Sequence, residues 1–427
     1  MPIPCQKLKS EARGAELIRP AFAPRSNAPR RRYNNAVRNV VVGLVPIDQK
    51  SRVAYVRGPV CLNLLHLELT ALNSLPLSPL ADVRVPAPDA ERAWTDQMKR
   101  AIRDSHDLLA AVGLSESLTG SVVATPGFPT FVPPALLARI RPGDPNDPIL
   151  RQVLPVSLED DPETQAGFTT DPLAEFPAGP ELGDLADLAP AREQKWIQKY
   201  HGRALLITTG ACGVHCRYCF RRHFPYPAAP QQRTRWQPWL EPIAADPSIR
   251  EVILSGGDPL VLSDASLERL SLGLREIPHV KWLRIHSRMP VVIPQRITPE
   301  LLALFAGFAA KTMVIHANHA RELDESVSVA ISDLRNSGFQ VLNQAVLLRG
   351  VNDSVGALAD LSSRLIECGA TPYYLHQLDR VRGAAHFEVP IARGLELVRE
   401  LRNQLPGYAI PRYVQEIPGQ PSKTVLA

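Results

Sequence analysis

The stretch "ALLITTGACGVHCRYCFRRHF", residues 204–224, runs from an apolar segment into three cysteines, Cys212, Cys216 and Cys219, and then into two arginines. A short apolar run closed by turn residues reads as a buried strand. The theme repeats downstream in "EVILSGG" (251–257), "WLRIHS" (282–287), "TMVIHAN" (312–318), "VLNQAVLL" (341–348) and "PYYLHQL" (372–378). Amphipathic segments separate these runs. In "ASLERLSLGLREI", Leu267, Leu270, Leu274 and Ile277 fall on one helical face. Apolar strands alternating with helices imply an α/β fold whose parallel sheet is covered on its faces. Six such units predict a partial (β/α)6, TIM-like barrel. In barrels of this kind the chemistry sits where strands end. The cysteines follow the first strand and "SGGDP" ends the second, so both are expected on one rim.

Upstream of that unit the pattern changes. Residues 1–88 are rich in Pro, Arg and Asn without sustained periodicity, and are expected to be a disordered or over-extended tail. Residues 89–190 are expected to be a helical and loop-rich extension. It opens with "DAERAWTDQMKRAIRDSHDLLAAVGL", where Trp94, Met98, Ile102, Leu108 and Leu109 share a face. Residues 191–427 form the α/β unit. The 41 prolines are about twice ordinary usage of ~5% and gather before residue 190.

The formal charge of +5 is unevenly spread. Nine Lys/Arg against Glu11 and Glu16 give residues 1–40 a charge of +7, which leaves the rest at −2. The basic balance therefore belongs to the tail, and the body presents no nucleic-acid face. The most apolar stretch, "PVCLNLLHLELTALNSLPLSPL" (59–80), is broken by Asn63, His66, Glu68, Asn73, Pro76 and Pro79. It falls short of the ~18 clean residues of a membrane span. With no secretory leader pattern, a cytoplasmic protein is expected. Three of the six cysteines lie within eight residues, which in a cytosolic chain points to metal rather than disulfides.

Two metal readings fit the triplet. Structural zinc takes four ligands, commonly from paired motifs. Here Cys5, Cys61 and Cys368 are isolated, so His215 or His223 would have to supply the fourth. A cubane iron–sulfur cluster ordinarily takes four cysteines, and three leave one iron open for an outside ligand. The pattern C-x-x-x-C-x-x-C after the first strand of a partial barrel resembles the radical S-adenosylmethionine (SAM) signature. "CRYCFRRHFPY", "SGGDPL", "RIHSRMPVVIPQRI", "LNQAVLLRGVND", "PYYLHQLDRVRGAAHF" and "PGQPSKT" resemble the lysine 2,3-aminomutase family, nearest to the branch that serves elongation factor P. The similarity covers roughly residues 92–427 and includes "DPNDPILRQVLP" and "FTTDPL".

The resemblance implies a radical SAM enzyme with a [4Fe-4S] cluster, SAM and pyridoxal 5′-phosphate (PLP), which isomerises L-α-lysine to (R)-β-lysine. Cys212, Cys216 and Cys219 would hold the cluster. Gly256, Gly257 and Asp258 would cradle SAM, glycine allowing close backbone approach and Asp258 accepting from the SAM ammonium. Lys423 would anchor PLP, with Tyr200 against the ring, Arg203 on the phosphate and Gln344 as a further contact. Arg221 would grip the substrate carboxylate with its planar fork. Asp379 and Glu416 would hold the substrate's far ammonium, two carboxylates that a glutamate-specific relative would not want. Implied partners are lysine, a reductant such as flavodoxin or ferredoxin, and elongation factor P with its ligase.

Free-lysine enzymes of the family carry a cysteine after "GVND" and further cysteines in a C-terminal tail. Here Ser354 follows "GVND" and the chain ends at Ala427, so their intersubunit zinc is not expected and no oligomeric state follows. The alternatives are a free-lysine aminomutase and, in another class, a zinc-bound RNA-binding or scaffold protein.

Overall fold

The computed structural model describes residues 41–46, 52–57, 88–115, 128–175, 196–197, 201–226 and 236–427. The chain divides into two units, Met1–Val83 and Arg84–Ala427. In the first unit, β1 (Val41–Pro46) and β2 (Arg52–Arg57) pair antiparallel, Val41 opposite Arg57 and Pro46 opposite Arg52. Regular structure thus occurs inside the segment read as aperiodic. Both strands are rich in valine, a residue suited to a pleated surface. Cys5, Cys61 and Tyr200 lie outside the described residues.

In the second unit, nine strands make one sheet. These are β3 (Trp196–Ile197), β4 (Arg203–Thr209), β5 (Glu251–Gly256), β6 (Trp282–Ser287), β7 (Ala310–Ile315), β8 (Phe339–Val346), β9 (Thr371–His376), β10 (Arg412–Gln415) and β11 (Thr424–Val425). Spatial order follows chain order. β4 to β10 are parallel, and β3 and β11 close the two edges antiparallel. The sheet is open rather than a closed barrel. All six strands expected from the sequence are present, and β10 adds a seventh parallel one.

Each parallel strand returns beside its predecessor, always in the same direction. Right-handed crossovers of that kind put every connecting helix on one side of the sheet. The core bears this out. Ala204, Leu206, Val252, Leu254, Leu283, Ile285, Met313, Ile315, Val341, Ala345 and Leu375 pack with leucines of helices Asp264–Arg275, Glu325–Asn336, Val355–Cys368 and Ile391–Arg402. Side chains alternate along a strand, so Ile207, Ile253, Ser255, His286, Val314, Gln344 and His376 face the other way.

Helix Val355–Cys368 shows how sequence sets these elements. Ser354 caps it, its Oγ accepting from Ala357 N at 3.2 Å, and Gly369 ends it in the left-handed region at φ 85°. Leu358, Leu361 and Leu365 bury one face, roughly 1.5–3 kcal/mol each. Ser354 therefore has a local structural role of its own. Cys368 is buried in the same core.

The N-terminal extension departs from its expected course. The helical pattern splits into Pro88–Lys99 and Ser105–Ala111. Asp104 caps the second helix, accepting from His106 N at 2.7 Å and Asp107 N at 3.2 Å, and Ile102 instead bridges Val132. Capping of those two donors favours a new helix start over a continuous one. Among the described residues no helix is long and apolar enough to cross a membrane.

Candidate active site

The three cysteines lie where β4 ends, all free and partly buried. Burial, then Cys219, Asp258 and Cys216, push the Cys212 thiol well above its usual range. Burial and Cys216 push Cys219 up to about 11. The three sulfurs thus share one electrostatic pocket, in which three thiolates need a cationic centre to persist. A lone zinc would need four ligands at about 2.0–2.3 Å. Among the described residues no three His, Cys, Asp or Glu, the cysteine triplet included, form a group placed to hold a metal ion. Both candidate fourth ligands are tied to carbonyls. His215 Nδ1 lies 2.7 Å from Pro129 O, its ring stacked on Phe128, and His223 Nε2 lies 3.0 Å from Arg382 O.

The turn ending β5 is latched to the cysteine loop. Gly257 N donates to Thr209 O at 2.6 Å and Asp258 N to Ala211 O at 2.8 Å. A Cβ at Gly257 would overlap the Ala211 carbonyl, and Gly256 has φ +123° with a Cβ position overlapping Thr209 O. Only glycine permits this approach.

Asp258 departs from its expected role. Its Oδ1 accepts from Leu260 N at 3.0 Å and Ser287 Oγ at 2.7 Å, and its Oδ2 from Arg288 N at 2.7 Å and Met289 N at 3.1 Å. A carboxylate has about four lone-pair sites, and all four are taken. Burial lifts its pKa to about 6 against these bonds. Asp258 ties β5 to the end of β6 and has no acceptor left for a SAM ammonium.

Arg288, which sequence reasoning did not single out, reaches the loop from β6. Its Nη1 donates to Cys216 Sγ at 2.8 Å, and its Nη2 to Gln152 Oε1 at 2.6 Å and Glu322 Oε2 at 2.8 Å. Asn318 joins, donating to Gln152 Oε1 at 2.9 Å and to the Tyr218 hydroxyl at 2.7 Å. The only sequence signal was the quoted "SRMP" segment itself.

Arg221 is buried and already engaged. Its Nε and Nη2 form a fork on Glu175 at 2.6 and 3.0 Å, and Nη1 donates to Ser255 Oγ at 3.1 Å. Burial works against its charge, and the Glu175 carboxylate more than offsets this, raising its pKa. Three of its five N–H donors are used, which leaves one on Nη1 and one on Nη2. Glu175 follows Ala174, held in the left-handed region at φ 49°, a conformation costly for alanine. Its own N–H donates to Asp171 Oδ1 at 2.9 Å. Glu175 was missed because it stands 46 positions before Arg221 in a Pro-rich stretch. It acts as a positioning residue for Arg221. Glu175→Gln should raise the KM for an Arg221-bound carboxylate about tenfold, one charge-assisted bond's worth, with kcat little changed. An unchanged KM would mean that Arg221 is held by other contacts.

At the sheet's far edge Lys423 pairs with Glu416. The carboxylate expected to receive a substrate ammonium therefore meets the chain's own ammonium here. Gln344 lies partly buried on the inner face, in register with Tyr374. Asp379 is partly buried just past β9. Arg203 stands at the start of β4, about 20 Å along the strand from the cysteine end at ~3.3 Å per residue. It is 3.9 Å from Glu251, which Arg284 holds with a fork at 2.9 and 2.5 Å. The structure thus gathers the cysteines, the glycines and Arg221 at one rim and Lys423 with Glu416 at the sheet edge. Arg203 sits at the other strand ends.

Fold and site together define an α/β protein with an open parallel sheet and a three-thiol loop beside a carboxylate-binding arginine. No family model matches the chain. It is 43% identical over 336 residues to an L-lysine 2,3-aminomutase of Escherichia coli, covering 78% of this chain and 94% of that one. It is 42% identical to that of Haemophilus influenzae (79% and 96% covered) and 36% identical to that of Clostridium subterminale (78% and 77%). The chain belongs to the L-lysine 2,3-aminomutase family of isomerases. Among solved structures it aligns with Streptococcus suis SuiB bound to S-adenosylmethionine at TM-score 0.37 and 15% identity, over 52% of this chain and 48% of that one, a likeness too slight to argue from.

Proposed function

We propose that this protein is a radical SAM, PLP-dependent lysine 2,3-aminomutase that converts L-α-lysine to (R)-β-lysine. The observation that carries the reading is a loop of three free cysteines at the end of β4, with Arg221 buried two residues beyond the last of them and held by a fork on Glu175, in a chain 43% identical to an L-lysine 2,3-aminomutase.

The donor set suits the cofactors. Cys212, Cys216 and Cys219 would ligate an iron–sulfur cluster, and three ligands for four irons leave one iron open for SAM. When bound, cluster and SAM supply the radical needed to break an unactivated C–H bond. The latched glycine turn would let SAM lie against backbone. Lys423 would anchor PLP, with Tyr200 and Gln344 as further contacts, whereas Arg203, expected on the phosphate, stands at the opposite strand ends beside Glu251 and is not placed for that role. PLP, when bound, carries the migrating nitrogen.

The chain's own residues bind and orient. Arg221, steadied by Glu175 and Ser255, would take the substrate carboxylate on its Nη1/Nη2 edge. That fixes the direction in which the amino acid lies. Asp379 and Glu416 would receive the ε-ammonium. Glu416 pairs with Lys423 here. Ser354 and the resemblance to the elongation factor P branch favour β-lysine for that factor, with a flavodoxin or ferredoxin as reductant.

The test is product formation from lysine and from glutamate by reconstituted enzyme, with 5′-deoxyadenosine measured alongside. Asp379→Asn should weaken lysine use roughly 10- to 100-fold, the worth of a charge-assisted bond of about 1.5–3 kcal/mol. Parent-like lysine turnover by that variant, or a preference for glutamate in the parent, would contradict the lysine assignment.

A further inference from the structure

Three histidines line the sheet face turned away from the helices, and the reading above gives none of them a contact. Leu283 and Ile285 of β6 pack with the helices, so His286 points to the inner face. Leu375 does the same for β9, which turns His376 inward. His316 follows β7, its ring centroid 5.9 Å from that of His286. The ring of His376 lies edge-on to Tyr374 at 5.6 Å. His376 is in register with Val414 of β10, Val414 with Val425 of β11, and β11 begins directly after Lys423.

Two of these side chains have an unanswered atom. The Nε2 atoms of His286 and His376 are buried and have no hydrogen-bond partner among the described residues, and His376 as a whole is only 6% exposed. Leaving such an atom unpaired is costly, and folded proteins retain few of them. Two on one face, near the same lysine, mark a place where something else completes the bonding. Burial, then His316, Arg284, Lys423 and Arg221, hold His286 well below the usual histidine range. Burial, then Lys423 and His316, do so for His376. Both rings are therefore neutral at physiological pH, able to donate or accept one hydrogen bond at Nε2. The polar atoms of pyridoxal phosphate (a phenol oxygen, a ring nitrogen and phosphate oxygens) are the complement to such neutral groups beside its anchoring lysine.

We propose that the Nε2 atoms of His286 and His376 contact the PLP held at Lys423 and orient it on the inner face. The inference rests on Lys423 being the PLP anchor. It assigns the two rings to cofactor binding rather than to the core.

The test uses cluster-loaded full-length protein, titrated with PLP and followed by the visible absorbance of the bound cofactor. Melting without PLP and iron content are measured alongside. His376→Phe and His286→Leu remove the orphaned atoms while keeping bulk. Each variant should keep its iron and melt at or above the parent temperature, because an unsatisfied polar atom has been replaced by apolar surface. Each should bind PLP at least tenfold more weakly, and His376→Gln should recover part of the loss. Parent-like PLP affinity in either variant overturns the assignment of that residue. A fall in melting temperature at unchanged affinity makes it a core residue. If His286→Leu fails to fold, the His376 pair decides. A parent with no PLP absorbance, or one that keeps it after Lys423→Ala, overturns the anchor and this inference together.

Discussion

Cys216→Ala should abolish SAM cleavage, and so should Cys212→Ala and Cys219→Ala, each singly. Burial and the neighbouring thiols disfavour the thiolate at Cys212 and Cys219, as the raised Cys212 and the value of about 11 for Cys219 record, and Cys216 accepts from the Arg288 guanidinium. A cluster bound there pays for all three thiolates at once, so removing one ligand undoes the gain for the others. The loss should exceed a thousandfold in 5′-deoxyadenosine formation, on the order of 4 kcal/mol. Iron content should fall in parallel. Cys368→Ala should do neither, because Cys368 is a core residue of helix Val355–Cys368, remote in sequence from the loop. Full activity in any one of the triplet variants would refute the ligand assignment.

Arg221→Lys should depress β-lysine formation by a hundredfold or more while leaving SAM cleavage by chemical reductant intact. Lysine keeps the charge and loses the fork. It cannot hold Glu175 on two nitrogens and reach Ser255, as Arg221 does, and still offer an edge to a substrate carboxylate. A 1 Å misplacement of a substrate can cost about 100-fold in rate. The split between the two assays separates orientation from cluster damage. Product and 5′-deoxyadenosine lost in proportion would assign Arg221 to the cluster pocket instead.

The central strands were legible because each is a short, largely apolar run closed by turn or polar residues, with its apolar positions on the helix side. β10 was not. "RYVQ" is four residues long with Arg412 exposed, and only parallel pairing with β9 makes it a strand. β3 and β11 are two residues each, too short for any pattern. The break before Ser105 was written in "RDSHD", where Asp104 caps the new helix, but Ile102 kept the helical phase and masked it.

Within the site, what was local in sequence could be read and what depends on pairing could not. Three cysteines in eight residues announce themselves. Glu175 and Arg221 meet only because the fold folds the Pro-rich stretch back on the rim. His286 and His376 each look like a stray polar residue in an apolar strand, and only sheet register puts both on Lys423's side. Asp258 was visible as part of "SGGDP", but three of its four donors come from Ser287, Arg288 and Met289 at the end of β6, so its structural role could not be inferred from the turn.

The central claim is that the three thiols hold one iron–sulfur cluster with an iron open to SAM, facing an amino-acid site. Low-temperature EPR of the reduced, anaerobically reconstituted protein, recorded with and without SAM, tests it most directly. The account predicts a cluster signal that requires all three cysteines and changes when SAM is added. A protein that binds zinc in preference to iron and sulfide, or a cluster signal indifferent to SAM, would contradict it.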